Sequence, residues 1–252
     1  MDRLVFSSHS AVSEQAKARQ HLVNELANVS TTGFKRSYHL AMSSVKAEGP
    51  GFDTRYHTQS FETDTIDLTP GAIMVTGRPL DIALANKTVM GVQAENGELA
   101  FSRRGDLRVT ATGVLEDGSG RAVMGEGGVI NVPPGFMVHI NKDGTVFARD
   151  PADPAAEDAF IDQLMLRDAS ETTLSRREDG LFAVFGQPPG SDFASGPNGV
   201  EVVTGSLEGS NVNAIYAMTK LIDHARTFEA QIRVIKEAKG LDESGSTMMR
   251  NS

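Results

Sequence analysis

No cysteine and no tryptophan occur in this chain of 252 residues, and only 3 Tyr. The first absence excludes a disulfide framework and any thiolate-held metal. The second leaves little material for an exposed aromatic platform of the kind on which binding modules stack ligands. Basic residues are in the minority, 24 Lys and Arg against 33 Asp and Glu, for a net charge of −9. Nucleic acid is therefore not expected as the main partner, because phosphate binding needs clustered cations. No apolar run approaches the roughly 20 residues that span a bilayer, so membrane insertion is not expected. The opening MDRLVFSSHSAVSEQ has no apolar core followed by a cleavage site, and no Sec-type signal peptide is expected.

Catalytic signatures are missing too. There is no G-x-S-x-G, H-E-x-x-H or G-x-x-x-x-G-K, and the 6 His are scattered with no pair at i, i+4. His139 falls opposite Val138 and Ile140 and reads as a rim residue. The acidic stretch DPADPAAED, Asp150 to Asp158, reads as a solvated loop, since a cation site needs several convergent oxygens. The sequons at Asn28 and Asn86 are short enough to arise by chance. No catalytic, cofactor or metal residue is assigned. A hydrolase reading would need two converging carboxylates with raised pKa values.

What is present is an uneven distribution of helix breakers. All 10 Pro lie between Pro50 and Pro197, and of the 25 Gly only Gly33, Gly240 and Gly245 fall outside Gly49 to Gly209. With 39% hydrophobic and 23% charged residues the chain can bury an ordinary core. The order is helix, β-rich middle, helix, an α+β class.

The first helix carries Val5, His9, Val12, Ala16, Arg19, Val23 and Leu26 at alternating spacings of four and three, widened by Leu4, Ala11, Ala18 and Leu22. It should stop between Asn28 and Gly33. The last helix keeps the same alternation through Leu207, Asn211, Ala214, Met218, Leu221, Ala225, Phe228, Ile232 and Ile235, with Ile215 and Ile222 broadening the face. Ser210 or Asn211 is the expected N-cap and Gly240 the expected end. Between the helices, Asn96-Gly97, Asp117-Gly118, Asp143-Gly144, Asp179-Gly180 and Asn198-Gly199 mark turns. Phe136, Val138 and Ile140 before Asp143-Gly144, and Val146 and Ala148 after it, predict a hairpin. Val45 to Thr69 shows little periodicity and reads as an extended connector.

Three blocks resemble the axial proteins of the bacterial flagellum. LANVSTTGFKR places Leu26, Ala27, Asn28, Thr31, Gly33, Phe34 and Lys35 where that family carries its N-terminal signature. GSLEGSNVNAIYAMTKLIDHARTFEAQIRVI is similar to its C-terminal helix, with Leu207, Glu208, Ser210, Asn211, Val212, Asn213, Arg226, Phe228, Glu229 and Gln231 in place. The stretch TGRPLDIALANKTVMGVQAENGELAF and its continuation resemble the family's β-rich region. One departure stands out: after Pro79, Leu80 and Asp81, many members carry Gly-x-Gly-Phe-Phe, where this chain has Asn86, Lys87, Thr88, Val89 and Met90. That departure and GEGGVINVPPGFMVHINKDGTV look most like a proximal-rod member, with distal-rod and hook members as alternatives. Two readings of the departure stand side by side: a mark of this rod position, and neutral drift on a surface strand.

The resemblance implies a structural subunit that assembles helically and transmits torque from motor to hook. It implies terminal helices, residues 1–35 plus 206–252, packed together in a coiled-coil-like inner tube. Connectors would occupy 36–75 plus 185–205, and a β-rich outer domain 76–184. Implied assembly residues are the two motifs above with Met218, Leu221, Ala225, Arg226, Phe228, Ile232 and Ile235. Implied partners are proximal and distal rod proteins, further copies of the chain and the flagellar export apparatus. The implied location is the basal-body rod in the periplasmic space, with no cofactor. A secreted β-rich binding module with helical termini is the reading from another class.

Overall fold

The structure is a computed structural model that describes residues 2–37, 42–46, 56–60, 65–152 and 157–250. It divides into two compact units, one of Met1–Ala27, His39–Thr63 and Asn213–Ser252, the other of Asn28–Tyr38 and Asp64–Val212. Residues 28–35 and 206–212 thus group with the β-rich part, and residues 39–63 with the helices.

The helical unit holds α1 (Asp2–Ala27), β1 (Met42–Lys46), β2 (Tyr56–Ser60) and α2 (Ala214–Arg250). α1 contacts both α2 and β2, and β1 pairs antiparallel with β2. This hairpin corrects the reading of Val45 to Thr69 as a connector. Its residues, MSSVK and YHTQS, are mostly polar, so they lack the apolar alternation that marks a half-buried strand. Residues 47–55 and 61–64 of that stretch lie outside the described residues.

α1 ends where expected. Asn28 to Gly33 form turns, with Gly33 at φ 69°. α2 starts later than expected: Asn213 is its N-cap, its Oδ1 accepting from the Tyr216 amide at 3.0 Å. Asn211 is occupied elsewhere, and Ser210 Oγ accepts from the Val212 amide at 3.2 Å. Nor does Gly240 stop the helix, which continues to Arg250. A single internal Gly costs roughly 1 kcal/mol against Ala, a penalty a long helix absorbs.

The β-rich unit opens with β3 (Ile73–Val75), β4 (Ile82–Leu84), β5 (Thr88–Gln93) and β6 (Leu99–Ser102). Four short strands follow: β7 (Arg108–Val109), β8 (Leu115–Glu116), β9 (Met124–Gly125) and β10 (Gly128–Val129). Next come β11 (Met137–Ile140), β12 (Thr145–Arg149), β13 (Ala159–Gln163) and β14 (Leu166–Asp168). The unit closes with β15 (Leu174–Arg176), β16 (Phe182–Val184), β17 (Val202–Thr204) and β18 (Ser206–Glu208). The largest sheet has the order β14-β5-β6-β16-β15, and a second has β11-β12-β13.

Three of the marked turn dipeptides close hairpins, Asn96-Gly97 between β5 and β6, Asp143-Gly144 between β11 and β12, and Asp179-Gly180 between β15 and β16. The β11–β12 hairpin behaves as its alternation predicts. Val138, Ile140, Val146 and Ala148 are buried, while His139 lies on the other face, stacked on Phe147 and 3.3 Å from Asp158. Asp158 also pairs with Arg149 at 2.6 Å, and residues 153–156 of the acidic loop lie outside the described residues. The core runs through Ile82, Met90, Val92, Leu107, Leu115, Ile130, Val146 and Leu164, with a second cluster around Val89, Phe101 and Phe182.

The Asn86 to Met90 stretch is not on a surface strand. Thr88, Val89 and Met90 are buried at the start of β5, in the interior of the large sheet. Asn86 is the one described non-Gly residue with positive φ, 50°. Asn tolerates this region better than most residues, which explains how it can stand where many family members carry Gly. Asn86→Val should therefore destabilise the β-rich unit by roughly 1–3 kcal/mol, the cost of a strained backbone state. Asn86→Gly should stay within about 1 kcal/mol of wild type. Thermal unfolding followed by circular dichroism checks both; equal effects would remove φ as the reason for Asn86.

Candidate functional site

Leaving α1, the chain turns through Asn28 to Gly33 and runs into Phe34 and Lys35. Two local bonds set the turn: the Thr31 amide donates to Asn28 O at 3.1 Å, and Thr31 Oγ1 to Asn28 Oδ1 at 3.1 Å. Gly33 then donates its amide to Glu208 O, the last residue of β18, at 2.8 Å. A Cβ at Gly33 would sit 2.4 Å from Arg103 O, so the close approach and the positive φ both require glycine. The two ends of the β-rich unit are thereby brought side by side.

At this crossing lie three buried charges. Glu208 is 1% exposed, and Lys35 and Arg103 are 0% exposed. Lys35 Nζ donates to Glu208 Oε1 at 2.7 Å and to Thr69 O at 2.8 Å. Arg103 Nε donates to Glu208 Oε2 at 2.8 Å. The rest of the guanidinium is taken up by backbone carbonyls: Nη1 donates to Asn86 O and Thr88 O, both at 2.8 Å, and Nη2 to Leu84 O at 2.6 Å. The Gly71 amide supplies a further donor to Glu208 Oε1 at 2.9 Å. Two cations thus share one carboxylate, and carbonyl dipoles hold the excess charge. Burial first, and then the neighbouring Arg103, push the Lys35 pKa below its ordinary value, while Glu208 pulls it back.

Asn211 fastens the same crossing from the other side. Its Nδ2 donates to Asp67 O at 2.8 Å, its Oδ1 accepts from the Arg36 amide at 2.8 Å, and its amide donates to Phe34 O at 3.3 Å. Arg36 Nε pairs with Asp67 Oδ2 at 3.0 Å. Arg176 lies over the Phe34 ring, 4.4 Å from its centroid, and donates from Nη2 to Lys35 O.

The two sequence motifs therefore meet in space. Asn28, Thr31, Gly33, Phe34 and Lys35 come together with Glu208 and Asn211, while Leu207, Ser210 and Val212 are half-buried along the same stretch. Arg103, Asp67, Thr69 and Arg176 complete the site and carried no sequence signal. A buried cation among apolar neighbours follows no period, and its partner lies far along the chain.

Leu26 and Ala27 end α1, and the remaining motif residues lie on α2. There the protected positions are Ala214, Ala217, Leu221, His224, Gln231, Ile235 and Ala238, with Phe228 between them at 38% exposed. They keep the heptad spacing but take the neighbouring column at two positions, Ala217 and His224 in place of Met218 and Ala225, while Gln231 and Ile232 are both half-buried. Met218 and Ala225 are exposed, Asn213 and Arg226 also face solvent, and Ile232 is half-buried. On α1 the expected Val12, Ala18, Leu22 and Leu26 are protected, together with Gln15 and Glu25, while Ala16, Arg19 and Val23 are exposed. The side chains of Leu4, Val5, His9 and Ala11 lie outside the described residues. As a result Ile215, Met218 and Ile222 are 79%, 51% and 54% exposed on one side of α2.

Over 238 residues, 93% of each chain, the sequence is 36% identical to the flagellar basal-body rod protein FlgF of Salmonella typhimurium. The chain belongs to the FlgF family of flagellar basal-body rod proteins. The FlgF of Escherichia coli matches equally, 36% over 93% of each chain. The rod protein FlgG of Agrobacterium fabrum is 28% identical over 254 residues, covering 91% of this chain and 92% of its own. The family model for the flagellar basal-body rod FlgEFG protein C-terminal region matches residues 203–248, most of β17, then β18, Asn211 and nearly all of α2. The rod protein is thus a structural component of the flagellar basal body. Among the described residues, no helix is long and apolar enough to cross a membrane, and no group of three His, Asp or Glu is placed to hold a metal ion.

Proposed function

We propose that this rod protein assembles helically through α1 and α2, packed as a coiled-coil-like inner layer, and so passes torque along the rod from motor to hook. The helices α1 and α2, grouped with the β1–β2 hairpin, supply that layer, and residues 76–184 an outer one. The observation that carries the reading is the second apolar column of α2. Ile215, Met218 and Ile222 face solvent in the single chain, outside the protected Ala214, Ala217, Leu221, Ile235 and Ala238. A fully buried side chain of this size is worth about 1.5–3 kcal/mol, so the column gains most by meeting neighbouring subunits. Its partners are other rod proteins and further copies of the chain. Recognition by the flagellar export apparatus and delivery to the periplasmic space belong to the same reading. The crossing at Lys35, Glu208 and Arg103 keeps the first entry of the chain into the β-rich unit and its last exit at a fixed spacing under load.

Because the chain has no Cys, a single introduced thiol is a clean probe. Met218→Cys should resist maleimide alkylation in isolated basal bodies, whereas Asn96→Cys, in the exposed β5–β6 turn, should react. Rods in which Met218→Cys is alkylated as readily as in the free chain would sink the assembly role of this face.

A further inference from the structure

The chain contains two Asn-Gly steps, Asn96-Gly97 and Asn198-Gly199, and the structure treats them differently. Asn-Gly is the step at which an asparagine most readily loses its amide, because the glycine nitrogen can reach the side-chain carbonyl carbon unhindered. At Asn96 that reaction is slowed. The Gly97 amide, the would-be nucleophile, donates to Ala94 O at 2.9 Å, and Asn96 Oδ1 is held by the Glu98 amide at 3.2 Å. The turn is fixed on both sides by β5 and β6.

At Asn198 the nucleophile is free. Among the described residues the Gly199 amide makes no hydrogen bond, both residues are exposed, and a Cβ at Gly199 would meet nothing within 4 Å. What lies beside Asn198 gives the reaction a consequence. Its amide donates at 2.9 Å to Oδ2 of Asp168, a carboxylate that is 1% exposed. The same oxygen accepts from Ser170 Oγ at 2.7 Å, and Oδ1 accepts from the Ser170 amide at 3.0 Å. Ser195 Oγ accepts from the Asp168 amide at 2.9 Å, and the Gly196 amide donates to Asp168 O at 2.9 Å. This one aspartate therefore pins the loop between β16 and β17. Burial opposes its charge, but the donors from Ser170 and Asn198, the Asn198 side chain among them, prevail and hold its pKa below the ordinary value.

We propose that Asn198-Gly199 is a spontaneous deamidation site, faster than Asn96-Gly97, and that its product loosens the loop from Asp168. The Gly199 nitrogen, giving up its proton to solvent, attacks Asn198 Cγ. A nitrogen–carbon bond forms, the Cγ–Nδ2 bond breaks, and ammonia leaves. Water then opens the resulting succinimide at either carbonyl, giving aspartate or isoaspartate at position 198. Either product replaces a neutral amide by a carboxylate beside the buried Asp168 carboxylate, and like charges at this range repel. The isoaspartyl form also lengthens the backbone inside the anchored loop.

Incubation of the folded full chain in mildly alkaline buffer, followed by peptide mapping by mass spectrometry, tests the site. Conversion at Asn198 should run roughly tenfold faster than at Asn96, the factor that one freed hydrogen bond allows. Equal rates, or a faster Asn96, overturn the assignment. In denaturant the two steps should convert at similar rates; a difference that persists there would place the cause in the local sequence and overturn the structural argument. Gly199→Ala, which the open surroundings accommodate, should suppress conversion without unfolding the protein, and continued conversion counts against the mechanism. Asn198→Asp tests the consequence. Hydrogen exchange at the Gly196 and Asn198 amides should quicken relative to wild type, and unchanged exchange overturns the proposed loosening.

Discussion

Glu208→Ala should lower the unfolding free energy of the β-rich unit by about 3–5 kcal/mol, the range for breaking a buried ion pair by removing one partner. The substitution leaves Lys35 and Arg103 buried together with only carbonyl oxygens to face, and it strips the Gly71 amide of its acceptor. Lys35→Met should cost less, about 1–3 kcal/mol, for the lost hydrogen bonds. It removes the cation that burial and Arg103 already disfavour and leaves a neutral Arg103–Glu208 pair. Urea unfolding followed by circular dichroism gives the order, since a chain without Trp offers no indole signal. A Lys35→Met loss as large as that of Glu208→Ala would contradict the picture of two cations competing for one carboxylate. The pH dependence has a definite sign. The folded-state pKa of Lys35 lies below its unfolded value, so the folded state releases its proton first. Wild type should therefore gain stability relative to Lys35→Met as pH rises through the alkaline range up to the ordinary lysine pKa.

The second large effect belongs to assembly. Ile222→Asp places a carboxylate on a surface that is already half open, so monomer stability should move by no more than about 0.5 kcal/mol. In a dry subunit contact the same charge costs several kcal/mol, and about 4 kcal/mol is roughly a thousandfold in association. Incorporation into basal bodies should fall to background. Phe228→Asp should also abolish incorporation, with a larger cost to the isolated helical unit because Phe228 is the more protected of the two. Thermal unfolding of the β-rich unit should be nearly unchanged in both. Glu229→Ala, exposed and next in the chain, should incorporate normally. Normal incorporation of Ile222→Asp would show that the outward column of α2 is not a subunit contact.

The sequence made some of this legible and hid the rest for physical reasons. Breaker distribution marked both helices, because Pro and Gly are costly inside them, and it also marked the β-rich middle. Asn-Gly and Asp-Gly dipeptides marked three hairpins because their backbones accept positive φ. The motif residues Lys35 and Glu208 were legible as a resemblance, but not as a pair, since 173 residues separate them. Arg103 was invisible, as its burial depends on carbonyls that converge only in the folded chain. The helix faces were read in the right period, and Ala18, Leu22, Leu221 and Ile235 are protected as their apolarity suggests, but some seam positions are open. On α2 apolarity pointed to Met218, whereas the protected neighbour is the smaller Ala217. The β1–β2 hairpin escaped because its strands are polar. The depth of Thr88 to Met90 escaped because the exposed Asn86 and Lys87 just before them make the short run read as surface until its place inside the sheet is known.

The hydrogen bond from Gly33 to Glu208 makes the incoming and outgoing strands of the β-rich unit immediate neighbours. The chain passes between the two units four times, after residues 27, 38, 63 and 212, and this bond ties the first passage to the last. The long segment 64–212 also begins and ends at one place, Asn211 reaching Asp67 and Thr69 near its start. A segment with close ends tolerates enlargement, replacement or loss far better than one that must bridge a gap. Changes of size within residues 72–205 should therefore leave the Lys35–Glu208 junction as it stands.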